Sequence, residues 1–382
     1  MSTVALKQQN KLSMMYSLLR RGTATKGDLS AETKLSFATV SNLLKELMAE
    51  EIVQECGYAE SGGGRKPFLY TIKSDGLLFV GVEIQVEQLT CVLTGLDSRR
   101  INHCTEALDA HEEPFSIIQR IRTMVERLLA DCGKTVEQVM RIGIAISGPI
   151  DESGIIIAPP NMPSWRNVPL RDLVERELGI ACCVEKGANA GMIGEIEFGN
   201  YKEVHHVVYI LADAGIGAGL YINGEVYRGV AHGAGSIGHT VVSFDGPPCN
   251  CGNRGCLEAF ASGLAIEREI AAMKGGEWSV EQILSPSLAA QEEINRVIAT
   301  AGKCLGIGVA NLCNTLNPQL VLIGGALANS DVYFESAREE ARRHILPNFA
   351  NRIQIERACL GKMSSAIGAG LIAKYQFLQN YG

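Results

Sequence analysis

The stretch HHVVYILADAGIGAGLYING, from His205 to Gly224, joins two strand-like runs of apolar residues through a glycine-rich turn. Glycine tolerates backbone conformations that other residues avoid, so the Gly215-x-Gly217 pair suits a tight turn. Similar strand-like runs lie at 77–85, 89–97, 140–149 and 318–328, and an amphipathic helical pattern lies at 115–133. Strands alternating with helices predict an α/β fold, and two strand-rich halves with glycine-bearing turns predict two lobes around a cleft.

Composition excludes several classes of protein. The chain has 382 residues, of which 46% are apolar, so two or three domains with full cores are expected. Its 12 cysteines are too sparse for a secreted disulfide scaffold, and no run of about 18 apolar residues predicts a membrane span. We therefore expect a soluble, cytoplasmic protein. The net charge of −7 means that any contact with nucleic acid needs a local basic feature.

Residues 1–75 have the pattern of three helices followed by two strands, which predicts a winged helix-turn-helix. The third helix begins after Ser36, a suitable N-cap residue. The apolar residues that predict the buried sides of the first and third helices are Leu12, Met15, Tyr16 and Leu19, then Val40, Leu43, Leu44 and Leu47. A three-helix interaction module that does not bind DNA would share this pattern.

Side chains on the outer side of the third helix and at the tip of the wing are the candidate DNA contacts. They are Phe37, Ala38, Thr39, Ser41, Asn42 and Lys45 on the helix, and Arg65 and Lys66 in the glycine-rich tip SGGGRKP. Small and amide side chains suit the major groove, and a presented arginine suits the narrow minor groove of A·T-rich DNA. A mobile linker with two solvated charges is the alternative interpretation of the tip.

Four stretches together resemble the ROK family of repressors, open reading frames and sugar kinases. They are AISGPIDESGIIIAPPNMPSWRNVPL (145–170), LADAGIGAGLYINGEVYRG (211–229), GAGSIGHTVVSFDGPPCNCGNRGCLEAFASG (233–263) and LIGGALA (322–328). The resemblance covers essentially the whole chain, and the winged helix with its GGGRKP tip resembles the repressor branch only. It implies an α/β fold in which an N-terminal winged helix-turn-helix precedes a two-lobed, actin/hexokinase-like domain.

His239, Cys249, Cys251 and Cys256 form a candidate metal site. Three thiolates and one imidazole are a standard ligand set for structural Zn²⁺ with no open position, although the single residue between Cys249 and Cys251 is tighter spacing than in most zinc fingers. The same four residues match the zinc motif of the family. Unligated thiols or a redox pair are the alternatives. We expect a structural zinc, because this loop has no long apolar run to bury.

Enzymatic activity is opposed by departures from the family's kinase motifs. Where the kinases have E-N-D-A-N, with aspartate as general base, residues 185–189 are EKGAN, so Gly187 replaces the base. Where the first phosphate loop has D-x-G-G-T, this chain has Glu83, Gln85, Val86 and Glu87. We therefore expect no kinase activity. An active kinase with an appended DNA-binding domain, and a DNA-bound regulator without a ligand, are the alternatives.

The resemblance also assigns a candidate effector site. Asn161, His239 and Glu258 match the family's sugar contacts, while Lys186 and Ser236 replace an amide and a carboxylate. Loss of carboxylates and gain of a cation favour an anionic effector, such as a sugar phosphate or sugar acid, over a neutral sugar. The alternative is that Lys186 extends into solvent and that the site has degenerated.

Taken together, these features predict a transcriptional regulator of carbohydrate metabolism, most simply a repressor. Its expected partners are a double-stranded operator, a small sugar-derived effector and a second copy of itself, as a homodimer or homotetramer. The expected domains are 1–75, a first lobe at 76–190 that the C-terminal helix at 365–382 completes, and a second lobe at 191–364.

Overall fold

The computed structural model describes residues 3–60, 66–109, 111–199 and 201–381. Three helices and an antiparallel two-stranded sheet come first: α1 (Thr3–Arg21), α2 (Lys26–Thr33), α3 (Phe37–Ala49), β1 (Val53–Tyr58) and β2 (Phe68–Ile72). This order is that of a winged helix-turn-helix. Arg65, at the tip of the wing, lies outside the described residues.

Helix α3 begins where the sequence predicts. The Ser36 side chain accepts a hydrogen bond from the Thr39 amide at 3.1 Å, which caps the first turn. The four apolar residues expected on its inner side, Val40, Leu43, Leu44 and Leu47, are all buried.

The buried side of α1 differs from the prediction. Of the four expected positions, Met15 is buried, Leu12 and Leu19 are half-buried, and Tyr16 is 45% exposed. The other buried positions are Lys11, Met14, Ser17 and Leu18. Lys11 was not counted as a core position because it is charged. Its methylene stem lies in the core, while its ammonium group forms ion pairs with Glu46 and Glu50 at 3.0 and 2.5 Å.

The first large sheet has the strand order β5-β4-β3-β6-β9. Its strands are β3 (Leu78–Ile84), β4 (Gln88–Gly95), β5 (Arg100–Ala107), β6 (Val139–Ile146) and β9 (Cys182–Lys186). Around it lie helices α4 (Pro114–Asp131) and α5 (Leu170–Leu178) and the small pair β7 (Ile155–Ile156) and β8 (Val168–Pro169). Sequence analysis missed β5, because this edge strand is mostly polar and half-exposed.

The second large sheet has the order β12-β11-β10-β13-β14. Its strands are β10 (Val207–Ala212), β11 (Ile216–Ile222), β12 (Glu225–Val226), β13 (Leu320–Gly324) and β14 (Gln354–Arg357). The helices of this half are α7 (Glu258–Ala261), α8 (Gly263–Lys274), α9 (Val280–Ile283), α10 (Pro286–Ala289), α11 (Glu292–Leu316), α12 (Asp331–His344) and α13 (Pro347–Ala350). Helix α11 is long and apolar enough to cross a membrane, but its inner side packs in the core of this half.

Two helices connect the halves: α6 (Gly187–Phe198) follows β9, and α14 (Ser364–Gln379) follows the last strand of the second sheet. Helix α14 lies so close to the first sheet that a Cβ at Gly81 or Gly143 would lie 1.9 Å from a carbonyl oxygen of α14. A Cβ at Gly368 would likewise lie 1.7 Å from the Ala190 carbonyl oxygen of α6. Glycine is therefore required at these contacts.

A buried carboxylate fixes the start of α14. Glu195, on α6, accepts hydrogen bonds from the amides of Cys359 and Leu360 at 2.8 and 2.9 Å and from the Ser364 hydroxyl at 2.7 Å. These donors replace the hydrogen bonds that the buried carboxylate would otherwise make with water. Glu195 thus holds the chain where it returns from the second sheet to the first.

The C-terminal part of α14 also contacts the winged helix-turn-helix. Ile372, Ala373 and Leu378 belong to the same buried cluster as the apolar residues of α1, α2 and α3. The Tyr381 hydroxyl donates a hydrogen bond to Glu50 at 3.1 Å. The division of the chain into units at 1–75, 76–190 and 191–364 remains a prediction.

The contact at Gly368 gives a test of this packing. We expect Gly368→Ala to lower the free energy of unfolding by about 1–3 kcal/mol or more, because the backbone of α6 has to move away. Gly370→Ala, in the same helix, is the matched control, since its Cβ would make ordinary contacts at 3.4 Å or more. Chemical denaturation of both variants measures the difference, and equal stabilities would contradict the close approach.

Candidate effector cleft, metal centre and nucleic-acid interface

A cleft of about 1130 Å³ lies between the two large sheets. Its walls come from the ends of β3, β6 and β9 on one side and from the β10–β11 turn on the other. All five candidate effector residues line it: Asn161, Lys186, Ser236, His239 and Glu258. Residues separated by about 100 positions in sequence therefore meet in one pocket.

Glu258 and Asn161 form the most constrained part of the cleft. Glu258 is only 7% exposed and accepts hydrogen bonds from the Ile216 amide at 2.9 Å and from the Asn161 side chain at 3.3 Å. A Cβ at Gly215 would lie 2.8 Å from the Glu258 carboxylate, which explains the glycine in this turn. Asn250 donates to Asn161 at 2.8 Å. Sequence analysis missed Asn250, although its position between Cys249 and Cys251 could have indicated it.

Lys186 lies in the wall of the cleft rather than in solvent. Its ammonium group donates to the Ala234 carbonyl at 2.6 Å, and among the described residues it forms no ion pair with a carboxylate. The neighbouring Glu185 is paired with Arg228 through contacts of 3.0 and 2.7 Å. Burial lowers the pKa of Lys186. Ser236 also contacts this loop, since its hydroxyl donates to the Gly233 carbonyl at 2.8 Å.

Side chains occupy the region where the kinase motifs place phosphate. The Gln85 amide donates to Glu83 and to Asp213, each at 3.0 Å, and so bridges the two sheets. Glu83 is 2% exposed, and one of its oxygens has no hydrogen-bond partner. Burial and the nearby Asp213 raise the pKa of Glu83 to about 8, and burial raises the pKa of Asp213 to about 6.

This arrangement opposes phosphate binding in two ways. The Gln85 side chain fills space that glycine amides would leave open, and the Asp213 carboxylate, which is ionised at neutral pH, would repel an anion. Sequence analysis missed Asp213, whose position just before the Gly215-x-Gly217 turn was the available signal. At the site of the kinase base, Gly187 supplies no proton acceptor.

The four predicted metal ligands lie together. The ligand atoms of His239, Cys249, Cys251 and Cys256 all lie within 4.8 Å of one another. Cys251 and Cys256 have their sulfurs 3.7 Å apart, and the Cys249 sulfur is 3.7 Å from His239 Nδ1. Tetrahedral Zn²⁺ with Zn–S bonds of about 2.3 Å requires sulfur separations of about 3.8 Å. The donor set and its spacing therefore fit zinc.

The outer surface of α3 presents the predicted DNA contacts. Phe37, Ala38, Asn42 and Lys45 are exposed, whereas Thr39 and Ser41 are half-buried. Lys66, at the base of the wing tip, is exposed. The remaining candidate, Arg65, lies outside the described residues.

The buried carboxylate pair predicts a pH dependence of stability. A carboxyl whose pKa is raised on folding binds a proton more tightly in the folded protein, so stability falls as the pH rises from about 4.5 to about 8. We expect Glu83→Gln to raise the melting temperature at pH 8 by several degrees and to converge with the wild type towards pH 5. The exposed Glu277→Gln is the control. Parallel melting curves for Glu83→Gln and the wild type across this pH range would contradict the burial of a titrating carboxyl.

Comparison with known proteins places this geometry in context. The xylose repressor of Caldicellulosiruptor bescii is 33% identical over 379 residues, which cover 95% of this chain and 94% of that protein. A ROK family transcriptional regulator, a homologue of the Escherichia coli Mlc protein, has a similar structure, with a TM-score of 0.76 at 24% identity. That match covers 98% of this chain and 97% of the other.

A ROK family glucokinase from Streptomyces griseus, solved with glucose and AMPPNP, gives a TM-score of 0.70 at 25% identity. The match covers 99% of the glucokinase but only 78% of this chain, so about a fifth of this chain lies outside it. The sequence model of the ROK family matches residues 79–376, which begin just after the winged helix-turn-helix. The chain belongs to the ROK family.

Proposed function

We propose that this protein is a sugar-responsive transcriptional repressor whose kinase-like cleft binds an effector without catalysis. The observation that carries the proposal is the combination of an exposed α3 surface with a cleft whose phosphate region is filled by Gln85 between two carboxylates. A sugar kinase does not need the exposed α3 surface. It could not function with Gln85 in the region that its phosphate donor must occupy. The relatives named repressors support the same conclusion, and a cytoplasmic location follows from this role.

The cleft retains a sugar-binding group but lacks the kinase base. Glu258 and Asn161 present hydrogen-bonding groups of the type that sugars require, and His239 lies beside them. We assign effector binding to these residues together with Lys186 and Ser236. Lys186 uses one of its three N–H groups on Ala234, so the other two remain for an anionic group of the effector.

We assign a structural zinc to His239, Cys249, Cys251 and Cys256. His239 uses Nδ1 on the side of the sulfurs and also lines the cleft, so the metal would orient this imidazole towards the effector. Asn250, between two of the ligands, holds Asn161. Zinc would thereby hold two of the proposed effector contacts in place, His239 directly as a ligand and Asn161 through Asn250.

Removing a ligand tests the zinc assignment. We expect Cys256→Ser to lose about one equivalent of zinc, to melt several degrees lower and to bind the effector more weakly, because the loop loses its anchor. Elemental analysis of unchelated protein and thermal melting measure this. Cys56→Ser, at an exposed cysteine outside the cluster, should keep its zinc. Wild-type protein without zinc would overturn the assignment.

A binding assay tests the function. We expect the full chain to select an A·T-rich, pseudo-palindromic duplex from a random library and to bind it as a dimer, because one winged helix contacts few bases. A sugar-derived effector should then release this DNA. The probes are xylose, xylonate, glucose and glucose 6-phosphate, and we expect an anionic member to be the most effective.

Variants separate the effector site from the DNA site. Lys186→Gln should reduce release by the anionic probe at least tenfold while leaving operator affinity in the absence of effector unchanged. Binding of the neutral probes by the same variant controls for loss of the Ala234 contact. If a neutral sugar binds more tightly than its anionic form and Lys186→Gln has no effect, the anionic effector is wrong. If no duplex is selected, the repressor proposal itself fails.

A further inference from the structure

The first turn of α3 carries an exposed aromatic ring. Phe37 is 59% exposed, although the other large apolar residues of α3 apart from Met48 lie in the core. Leaving a phenyl ring in water forgoes the stabilisation that burial would give. The ring lies on the same outer surface as Ala38 and Asn42, the surface to which we assign DNA binding.

The charges around this surface suit an approach to DNA. Glu46, on the flank of α3, is paired with Lys7 and Lys11 at 2.7 and 3.0 Å, so its carboxylate is neutralised from α1. Lys45, two turns after Phe37, is exposed and has no ion-pair partner among the described residues. Among the described residues of α3, Lys45 is therefore the cation available to the phosphates, and the Glu46 carboxylate is paired.

We propose that α3 recognises a thymine methyl group through Phe37 and an adenine through Asn42 in each half of the operator. This inference rests on the proposed DNA-binding function and names the bases that it distinguishes. A phenyl ring and the C5-methyl group of thymine make an apolar contact, and the asparagine amide pairs with N6 and N7 of adenine in the major groove. Asn42 is exposed and makes no hydrogen bond with its side chain among the described residues.

The spacing of the two residues sets the spacing of the two bases. Five residues of helix advance by about 7.5 Å, which corresponds to about two base-pair steps of about 3.4 Å. No arginine or lysine lies between Phe37 and Leu44, so the first two turns contain no cationic partner for guanine. The Ser36 and Thr39 hydroxyls are 2.8 Å apart and form one hydrogen bond with each other. Lys45 lies beyond these turns and is left for a phosphate.

Deoxyuridine substitution provides the test, because it removes only the methyl group of thymine. The probe is the duplex that the full-length protein selects from a random library. Each thymine is replaced by deoxyuridine in turn, and affinity is measured at one fixed salt concentration. In the wild type we expect one position in each half-site to lose about three- to tenfold in affinity.

Variants connect the lost methyl group to the ring. In Phe37→Ala the sensitive position should become insensitive to deoxyuridine, so that the two changes together cost no more than Phe37→Ala alone. Phe115→Ala is the matched control, since Phe115 is 57% exposed and also lies in the first turn of a helix, but in the first lobe. This variant should keep the wild-type sensitivity. Asn42→Ala should remove the preference for adenine about two steps away.

The outcomes separate this inference from the function on which it rests. If a duplex is selected but Phe37→Ala keeps the full deoxyuridine sensitivity, or if every thymine is insensitive in the wild type, the base assignment is wrong and the repressor function stands. A selected half-site in which guanine is essential at the α3 positions would also overturn it. If no duplex is selected at all, both fail. Melting temperatures of the variants should match the wild type, because both rings are exposed.

Discussion

The contact of α14 with the first sheet is the constraint on which the two-lobed arrangement depends. At Gly81 and Gly143 the helix backbone lies directly on the sheet backbone, with no side chain between them. Glu195 then fixes the point where the chain enters this helix, through four hydrogen bonds from Cys359, Leu360 and Ser364. Because α6 and α14 are the two helical connections and pack against each other, relative motion of the lobes has to occur around this pair.

The cleft combines a group of ordered hydrogen-bonding side chains with a glutamine that fills the region where the kinase motifs place phosphate. Glu258 is held by a backbone amide and by Asn161, in the manner of a preorganised acceptor. Gln85 and Asp213, which are 128 positions apart in sequence, join the lobes at the region that phosphate would need. The departure from the kinases is therefore more than the absence of a base at Gly187, since Gln85 also occupies the region where the kinase motifs place phosphate.

Sequence patterns predicted the parts of this structure that depend on local chemistry. The α3 stripe, the Ser36 cap and the clustering of the four metal ligands follow from spacing and residue type. Buried Lys11 and the polar strand β5 were missed, because ion pairing and edge position override the apolar pattern. The bridge from Gln85 to Asp213 and the contact of Lys186 with Ala234 join distant segments, which only the folded chain brings together.

The buried cluster that α14 shares with the winged helix-turn-helix affects the order in which the chain can fold during synthesis. Ribosomes synthesise the N-terminal unit first, yet Leu378 and Tyr381, at the other end of the chain, complete its packing. The winged helix-turn-helix therefore reaches its final contacts only after residues 364–381 have been synthesised. A nascent chain that lacks α14 would carry α3 without the packing that α14 supplies, so the final structure of the winged helix-turn-helix depends on the presence of the kinase-like domain.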